Sequence, residues 1–539
     1  MQDARDIEPI IRWFLRSGEN HPGNCALSVD GTDWRYSDLM LRSGNICNAI
    51  RDQCGEDSGM VAIFGHRTVD TYAGLLGILW SGNGYVPLNP KFPNDRTAYM
   101  LDRSGTSTVV VDTRHFEQLL RVLESTNSVA TIILASASQV DTSGSNAGDY
   151  NIVQVDPATP LTELPSIPKT GETDIAYLLF TSGSTGQPKG VGITHRNCNA
   201  YVANIIDRYS PGPHDVFSQM FDLTFDLSVH DMFVCWGAAA RLCSPPERAV
   251  MAPAKFIQES GITFWFSVPS TIGFLRKFRL LKKGAFPSIR WSLYCGETLT
   301  VDAATDWQEA TPNSVIENLY GPTEATIAFT AFRCPVEMKE GDYERNLVPI
   351  GSPLGGQAVK LVDENLEQVT DGEVGEICLG GDQLTPGYWR DDTKTSEQFI
   401  KLGVSDPNGI DRWYRTGDVG RLSPNQRLTF LGRNDNQIKI FGHRIELGEV
   451  EAVLRRAAET DFVVALPWYD KGTTIIGIMA VVAGEKTELK RIREYCSEHL
   501  PPYMVPKRAC ALPAFPLNAN GKVDRNAIME KLKEMNAFD

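Results

Sequence analysis

At 539 residues, the chain exceeds the size at which a single hydrophobic core stops growing, so we expect at least two structural units. The formal net charge of -15 argues against nucleic-acid and anionic membrane partners, because both require a basic surface. The 11 cysteines form no metal-ligand pattern, and no stretch resembles a signal peptide or a membrane span, which together predict a cytoplasmic protein with free thiols.

Apolar strands alternate with helical stretches along the first 300 residues. We predict a strand at 61–64, a helix over 68–80 and a strand at 107–112. The further elements predicted by the same patterns are strands at 131–134, 175–180, 263–267 and 291–294 and helices over 250–260 and 271–283. This βα order predicts a layered α/β architecture.

The pattern of predicted elements changes after a polar, turn-rich tract at 141–148 and again near residue 350. Short strands separated by glycines predict a compact β-rich piece, with strands at 358–363, 374–380 and 427–431. A strand at 437–441 and a helix over 447–458 then open a final α+β portion. The fold class predicted is therefore a multidomain α/β protein.

A loop rich in hydroxyls and glycines, TSGSTGQPKG, occupies residues 181–190 directly after the apolar run 175–180. Its hydroxyl, backbone N–H and ammonium donors can surround a polyphosphate, and glycine lets the backbone come close. It does not follow the Walker A pattern, because Pro188 precedes Lys189 and the residues that follow read as a strand rather than a helix. The loop predicts nucleotide binding outside the P-loop ATPases.

This loop resembles the signature of the adenylate-forming superfamily, which includes amino-acid adenylation domains of nonribosomal peptide synthesis, acyl-CoA ligases and luciferases. The superfamily's other motifs follow in order as WRYSDL at 34–39, YVPLNPKFP at 85–93, NLYGPTE at 318–324, GEICLGGDQLTPGYW at 375–389, YRTGD at 414–418, GRNDNQIKIFGHRIELGE at 432–449, LPPYMVP at 500–506 and NGKVDR at 520–525. The resemblance covers nearly the whole chain.

The resemblance implies two domains. The expected N-terminal adenylation core comprises residues 1–433, with a β-rich subdomain over about 345–433, and the expected C-terminal lid comprises 434–539. Asp435 is the expected hinge about which the small domain rotates between adenylate formation and thioester formation. Lys439 and Gly442 would then belong to the thioester-forming face.

The resemblance also implies ATP and Mg²⁺ as cofactors. Lys522, Thr181 and Glu324 are the expected catalytic residues: Lys522 would bridge the α-phosphate and the reacting carboxylate, and Glu324 would ligate Mg²⁺. Tyr320 would stack on adenine, Asp418 would accept the ribose hydroxyls, and Arg433 would approach the ribose or phosphate. The full expected nucleotide-binding set is Thr181, Ser182, Gly183, Ser184, Thr185, Lys189, Asn318, Tyr320, Gly321, Thr323, Asp418 and Arg433.

The segment FDLSVH at 225–230 resembles the part of amino-acid adenylation domains in which an aspartate, here Asp226, pairs with the α-ammonium group of the substrate. A buried carboxylate needs such a cationic partner, so the resemblance implies that the activated acid is an amino acid. The expected pocket residues, carried over from the family one by one, are Asp226, Leu227, His230, Phe266, Leu293, Cys295, Leu319, Ile327 and Ala328, closed by Lys522. The lining is mostly apolar and offers no second charge to meet an ionised side chain.

This pocket pattern is similar to that of prolyl-carrier-protein ligases, so L-proline is the first candidate substrate. Alanine, valine or another small residue follows. His230 departs from the usual apolar or aromatic occupants, and it could hydrogen-bond a hydroxyl or merely fill space. Apolar pockets separate single methylene groups by only ~1–3 kcal/mol, which leaves the side chain open.

The acceptor is expected to be the phosphopantetheine thiol of a separate carrier protein, because the stretch after Arg525 is too short for a carrier domain. The alternative enzyme is an acyl-CoA or aryl-CoA synthetase, which would have no use for Asp226. A catalytically silent nucleotide-binding protein is a third hypothesis. Such a protein would have no chemical need for all five of the residues Lys189, Glu324, Asp418, Arg433 and Lys522.

Overall fold

The computed structural model describes residues 7–55, 59–135, 146–183, 186–403, 409–423, 425, 427–435, 437–470, 475–484, 489–516 and 523–535. Residue contacts divide the chain into two units. The first comprises residues 1–90, 98–180 and 190–434, and the second comprises 91–97, 181–189 and 435–539. The predicted turn-rich tract at 141–148 lies outside the described residues over 141–145.

The first stretch alternates helices and strands. Its elements are α1 Ile11–Asn20, β1 Cys25–Val29, β2 Thr32–Arg35, α2 Tyr36–Cys54, β3 Met60–Phe64, α3 Val69–Ser81, β4 Gly84–Leu88, α4 Asn94–Ser104, β5 Thr108–Asp112, α5 Phe116–Leu123, β6 Thr131–Ala135 and β7 Asn151–Val155. Helix α3 is buried along most of its length because its residues are apolar on nearly every face. Its first turn is capped by the Thr68 hydroxyl, which accepts a hydrogen bond from the Thr71 N–H.

The second stretch carries most of the predicted site. Its elements are β8 Ile175–Thr181, β9 Lys189–Thr194, α6 His195–Tyr209, β10 Val216–Ser218, α7 Leu227–Gly237, β11 Arg241–Cys243, α8 Glu247–Met251, α9 Ala254–Ser260, β12 Phe264–Ser267, α10 Ser270–Lys277, β13 Trp291–Tyr294, α11 Val301–Ala310, β14 Val315–Tyr320, β15 Thr330–Arg333 and β16 Ser352–Pro353.

Two large sheets are built from these strands. A seven-stranded sheet has the order β7-β6-β5-β3-β4-β8-β9, and the pairings from β7 to β8 are parallel. A nine-stranded sheet has the order β16-β15-β14-β13-β12-β10-β11-β1-β2. Its centre, from β14 to β1, is parallel, and its edge strands are antiparallel. Strands buried on both faces explain the continuous apolar runs of the sequence.

The β-rich piece and the second unit complete the fold. The β-rich elements are β17 Gln357–Val362, β18 Val374–Gly381, α12 Asp392–Gln398, β19 Phe399–Ile400, β20 Trp413–Leu422 and β21 Leu428–Arg433, and the strands pair antiparallel. The following elements are β22 Gln437–Ile440, β23 His443–Glu446, α13 Leu447–Ala458, β24 Val463–Tyr469, β25 Ile475–Ala483, α14 Leu489–His499, β26 Arg508–Leu512 and α15 Arg525–Glu534. Strands β24, β25 and β26 form one sheet.

The predicted multidomain α/β class is confirmed, and the predicted strands match β3, β5, β6, β8, β12 and β13 to within one residue at each end. Two helix predictions are wrong in extent. The helix expected over 250–260 is divided into α8 and α9 at Pro253, which has no N–H and disfavours helical geometry in the residue before it. The helix expected over 271–283 ends at Lys277, and the chain turns through Arg279 at a φ of 57°.

No helix within the described ranges is both apolar enough and long enough to cross a bilayer.

Candidate active site

The carboxylate of Asp418 contacts two other residues that were predicted to bind the nucleotide. Tyr320, the last residue of β14, donates its hydroxyl hydrogen to Asp418 Oδ2 at 2.6 Å. Arg433 pairs with the other oxygen, Oδ1, and the two residues lie directly opposite each other on β20 and β21. Burial and the neighbouring Asp418 charge raise the pKa of Tyr320 well above its usual value, so the phenol stays a donor.

Asn318 lies two residues before Tyr320, on the same strand and the same face. Its amide nitrogen donates to the carbonyl oxygens of Pro349 at 2.9 Å and Val348 at 3.3 Å. Its Oδ1 atom is buried and has no hydrogen-bond partner among the residues that the structure describes. Gly321 follows the strand, and a Cβ atom there would lie 2.8 Å from the Ala328 Cα, so only glycine lets the two backbone segments approach.

The predicted metal ligand and the predicted amino-acid anchor are neighbours. Glu324 is fully buried in a short 3₁₀ turn, and the Tyr388 hydroxyl donates to its Oε1 atom at 2.9 Å. Asp226, immediately before α7, is 7% exposed. The Thr323 hydroxyl and the backbone of Ile327 hydrogen-bond to its carboxylate.

Burial raises the pKa of Asp226 from 3.8 to about 6. The nearby charge of Glu324 adds to this rise, whereas the hydrogen bond from Thr323 opposes it. The carboxylate is therefore mostly ionised at neutral pH but poorly compensated. A cationic ligand beside Asp226 would lower this pKa and relieve the cost of burying the charge.

Four predicted pocket residues lie on one face of the nine-stranded sheet. Phe266 of β12 pairs with Leu293 of β13, and neighbouring residues on parallel strands point to the same face. Leu293 pairs with Glu317, so Leu319, two residues further along β14, shares that face. Cys295 continues the same alternation just after β13. The side chains of these four residues are buried.

The remaining apolar pocket residues come from α7 and from the loop after the 3₁₀ turn. Leu227 is the first residue of α7, and Ile327 and Ala328 lie in the loop. The backbone of this loop is strained, because Thr326 and Ile327 have φ values of 57° and 72°. β-Branched side chains rarely adopt such angles, so the surroundings must hold the loop in place.

Gln383 supplies much of that restraint. Its side-chain nitrogen donates to the Ala328 carbonyl at 2.8 Å and lies 3.3 Å from those of Ala325 and Thr326. The Thr326 hydroxyl donates in return to the Gln383 carbonyl at 2.5 Å. The Thr385 N–H donates to the Glu324 carbonyl at 3.0 Å. The segment after β18 thus anchors the loop that carries two pocket residues.

His230 is the polar side chain of the predicted pocket besides Asp226. It lies four residues after Asp226, on the same face of α7. Its Nδ1 atom is 2.8 Å from the Tyr201 hydroxyl, and its ring centroid is 4.5 Å from that of Phe266. Burial lowers the pKa of His230 to about 3, so the imidazole is neutral at physiological pH.

In the second unit, residues of the phosphate loop contact the strand that ends at Glu446. The Ser182 hydroxyl donates to the Arg444 carbonyl at 2.6 Å and accepts from the Glu446 N–H at 3.2 Å. A Cβ atom on Gly183 would clash with the Gln187 carbonyl oxygen. Burial raises the pKa of Glu446, and the charges of Arg444 and Lys189 oppose the rise.

Part of the predicted site lies outside the described residues. These positions are Ser184, Thr185 and Lys522. Asp435, the predicted hinge, is the first residue of the second unit after the long break, and its carboxylate accepts a hydrogen bond from the Gln437 N–H at 3.0 Å. Lys439 lies on β22, and Gly442 lies in the turn that joins β22 to β23, with a φ of 79°.

Two protein-family models match the sequence of this chain. The model "AMP-binding enzyme" matches residues 14–389, and the model "AMP-binding enzyme C-terminal domain" matches residues 449–522. The chain belongs to the AMP-binding enzyme family. The resemblance to adenylate-forming enzymes is therefore confirmed at the level of the family.

Curated relatives of this AMP-binding enzyme include large synthases. The chain is 30% identical to gramicidin S synthase 1 of Brevibacillus brevis over 97% of its own length and 44% of that protein. It is 31% identical to tyrocidine synthase 3 of Brevibacillus parabrevis over 97% of its length and 8% of that protein. The chain thus spans less than half the length of either relative.

Solved structures match over nearly the whole chain. The adenylation domain AlmE of Vibrio cholerae, crystallised with glycyl-adenosine-5'-phosphate, is 29% identical with a TM-score of 0.86, and 99% of each chain is covered. The protein IdnL7 is 32% identical with a TM-score of 0.70, covering 98% of this chain and 99% of the other.

The residues of this AMP-binding enzyme fit ATP and Mg²⁺. Asn318 Oδ1 and Thr181 Oγ1 are buried polar atoms that have no hydrogen-bond partner within the described part of the chain. The first can accept an N–H of a base, and the second can donate to a phosphate oxygen. Within the described ranges no three His, Cys, Asp or Glu side chains cluster as metal ligands. Mg²⁺ is commonly held by one or two carboxylates together with substrate phosphates, so Glu324 suits it.

Sequence reasoning missed four residues of this AMP-binding enzyme that support the site. Tyr201 contacts His230, Gln383 and Thr385 anchor the loop beside Glu324, and Tyr388 contacts the Glu324 carboxylate. The last three lie in the motif at 375–389, which by itself indicates no role for single side chains. Tyr201 lies on α6, outside every motif, and no pattern in the sequence distinguishes it.

Proposed function

We propose that this AMP-binding enzyme activates a small amino acid with ATP. The products of the first step are an aminoacyl-AMP and pyrophosphate, and the second step transfers the aminoacyl group to the phosphopantetheine thiol of a separate carrier protein. The domain division expected from the sequence, 1–433 and 434–539, belongs to this proposal, with Asp435 as the hinge between the two steps.

The observation that carries the proposal is the environment of Asp226. Its carboxylate is buried, is hydrogen-bonded by Thr323 and the backbone of Ile327, and lies near the charge of Glu324, and its pKa is raised to about 6. An α-ammonium group is a small cation that can compensate this charge. The side chain of the same amino acid would then lie among the apolar residues of the predicted pocket. An acyl-CoA or aryl-CoA synthetase has no cationic substrate group to offer, which disfavours that alternative.

The nucleotide would be held by the groups that the structure gathers around Asp418. Asp418 accepts from Tyr320 and Arg433 through one lone pair on each oxygen, which leaves a second lone pair on each for the ribose hydroxyls. Asn318 would accept from the adenine amino group. Glu324 would hold Mg²⁺, which supplies positive charge beside the phosphate oxygens.

The chemistry is displacement at the α-phosphorus of ATP. A substrate carboxylate oxygen forms the new P–O bond while the bond between the α-phosphorus and the bridging oxygen breaks, and pyrophosphate leaves with that electron pair. The chain's own task is to hold two anions together and to stabilise the charge that spreads over the phosphoryl oxygens. We assign this to Lys522 and to the phosphate loop around Thr181, Ser182 and Lys189.

The comparisons support the class of substrate. AlmE was crystallised with glycyl-adenosine-5'-phosphate, an aminoacyl-AMP. The sequence pattern, taken without the geometry of His230, gives L-proline as the first candidate, with alanine, valine or another small residue behind it.

Amino-acid-dependent exchange of pyrophosphate into ATP tests the proposal. We expect exchange with at least one small amino acid among the twenty, and its loss in Asp226→Asn, which keeps the size of the side chain but removes its charge. The matched control is Asp207→Asn, because Asp207 is an exposed aspartate on α6. Exchange that is absent with all twenty amino acids, or consumption of coenzyme A with an acid lacking an amino group, would contradict the proposal.

A further inference from the structure

Tyr201 and His230 form a hydrogen-bonded pair between helices α6 and α7. The Tyr201 hydroxyl lies 2.8 Å from His230 Nδ1, and both side chains are buried. His230 Nε2, on the opposite edge of the ring, has no hydrogen-bond partner in the portion of the chain that the structure covers. A buried polar atom without a partner is uncommon in a folded protein and calls for a specific reason.

The two neutral tautomers of His230 differ in how many buried polar groups they leave without a hydrogen-bond partner. If Tyr201 donates to Nδ1, the ring hydrogen lies on Nε2, and one donor is left without an acceptor. If Nδ1–H donates to Tyr201 instead, the Tyr201 hydroxyl hydrogen and the Nε2 lone pair are both left without partners. The first arrangement leaves fewer unsatisfied groups, so Nε2 carries the hydrogen.

The pair belongs to the surroundings of the predicted pocket. His230 follows Asp226 by one turn of helix, and its ring packs on Phe266. The Tyr201 hydroxyl is close enough to Asp226 and Cys295 to interact electrostatically with both. Since Nδ1 contacts the Tyr201 hydroxyl, Nε2 lies on the other edge of a ring that packs on Phe266 of β12.

We propose, on the basis of the amino-acid activation put forward above, that His230 Nε2–H is a specificity-determining donor held in place by Tyr201, and that it selects a small amino acid with a side-chain hydroxyl. The hydroxyl oxygen accepts the Nε2 hydrogen. This ranks serine and threonine above L-proline, alanine and valine.

A hydroxyl fits this pocket better than the other acceptors that amino acids offer. An amide side chain would bring two further N–H donors into a lining that is otherwise apolar. A carboxylate side chain would bring a second negative charge near Asp226 without a cation among the described pocket residues to meet it. A small hydroxyl adds one acceptor and one donor and little volume.

Pairs of isosteric substrates provide the test. L-Threonine is compared with L-valine, and L-serine with L-2-aminobutyrate, by kcat/KM for pyrophosphate exchange. We expect the hydroxyl-bearing member to be favoured at least about tenfold, because the apolar member leaves the buried donor unsatisfied. In His230→Phe, which keeps an aromatic ring, the preference for the hydroxyl-bearing member should fall to about one.

Tyr201→Phe tests the positioning role, because it keeps the ring and removes only the hydroxyl. We expect KM for the hydroxyl-bearing substrate to rise with little change in kcat, while the apolar member is unaffected, which a general loss of stability would not produce. Preference for the apolar member in the wild type, highest exchange with L-proline, or a preference that survives in His230→Phe would overturn the inference alone. Absence of exchange with every amino acid would overturn the proposed function as well.

Discussion

The side-chain nitrogen of Gln383 donates to the main-chain oxygen of Ala328 at 2.8 Å, across 55 residues of sequence. The same nitrogen lies 3.3 Å from the carbonyl oxygens of Ala325 and Thr326. One side chain therefore restrains a loop in which Thr326 and Ile327 adopt positive φ values. The loop carries Ile327 and Ala328, which line the predicted amino-acid pocket, and begins next to Glu324.

Replacing Gln383 with alanine should mainly weaken binding of the amino-acid substrate, with a smaller effect on the melting temperature. The change leaves buried carbonyl oxygens without a donor, at a cost of about 1–3 kcal/mol, and frees the strained loop to relax. We expect KM for the amino acid to rise about tenfold or more in pyrophosphate exchange. Gln368→Ala, at an exposed position of the same unit, is the control. An unchanged KM would show that the loop is held by other contacts.

The raised pKa of Asp226 predicts a pH dependence of amino-acid binding. Below about pH 6 the carboxylate takes up a proton and no longer attracts an ammonium group, so KM should rise about tenfold per pH unit as the pH falls further. For the free enzyme the sign is opposite: the raised pKa stabilises the fold at low pH, and this contribution is lost as the pH rises through about 6. Exchange assays and thermal unfolding between pH 5 and 8 separate the two effects. A flat KM profile would argue against Asp226 as the ammonium partner.

Tyr320→Phe should weaken ATP binding while leaving the fold intact. The substitution keeps the aromatic ring and removes the hydroxyl that donates to Asp418 at 2.6 Å. Hydrogen bonds to a charged group are worth about 1.5–3 kcal/mol, and without this one Asp418 is less firmly oriented. We expect KM for ATP to rise about tenfold. Tyr469→Phe, at a partly exposed position of the second unit, should leave it unchanged.

Lys522→Ala should abolish adenylate formation and spare folding. A positive charge directed at the reacting phosphoryl group contributes ~10²–10³ in rate, and alanine removes it without adding volume. Single-turnover formation of aminoacyl-AMP is the measurement, and Lys531→Ala, on the exposed face of α15, is the control. Near-normal exchange in the Lys522 variant would remove this residue from the catalytic set.

Asp435→Pro should impair transfer to the carrier thiol while leaving adenylation largely intact. Proline fixes the backbone φ angle at the proposed hinge and so restricts the rotation between the two half-reactions. Asp435→Ala separates this effect from the loss of the carboxylate that accepts from Gln437. Equal loss of both half-reactions in the proline variant would count against a hinge at this position.

The parts of the molecule that the sequence predicted are those encoded locally. The apolar strands around Phe266 and Leu293 follow from short runs of residues, and the nucleotide and pocket positions follow from motifs of adjacent letters. The bond between Gln383 and Ala328 joins residues that only the tertiary fold brings together. The partnership of Tyr201 with His230 depends on how two helices pack, which no periodicity encodes. The early end of α10 at Lys277 likewise reflects tertiary context overriding helical propensity.

Successive side chains along the central strands of the nine-stranded sheet point to opposite faces, so one face carries predicted pocket residues and the other carries aromatic packing. Phe266 and Leu293 point to the side of the predicted pocket, whereas their neighbours Trp265 and Tyr294 point to the opposite side and pack with Trp307. If these two residues line the amino-acid pocket as proposed, substitutions at them should alter which substrates the enzyme accepts and leave the aromatic layer on the opposite face unchanged. We expect a library that varies Phe266 and Leu293 to yield many folded proteins with new substrate ranges. The aromatic packing that supports the sheet lies on the opposite face, which such a library leaves unchanged.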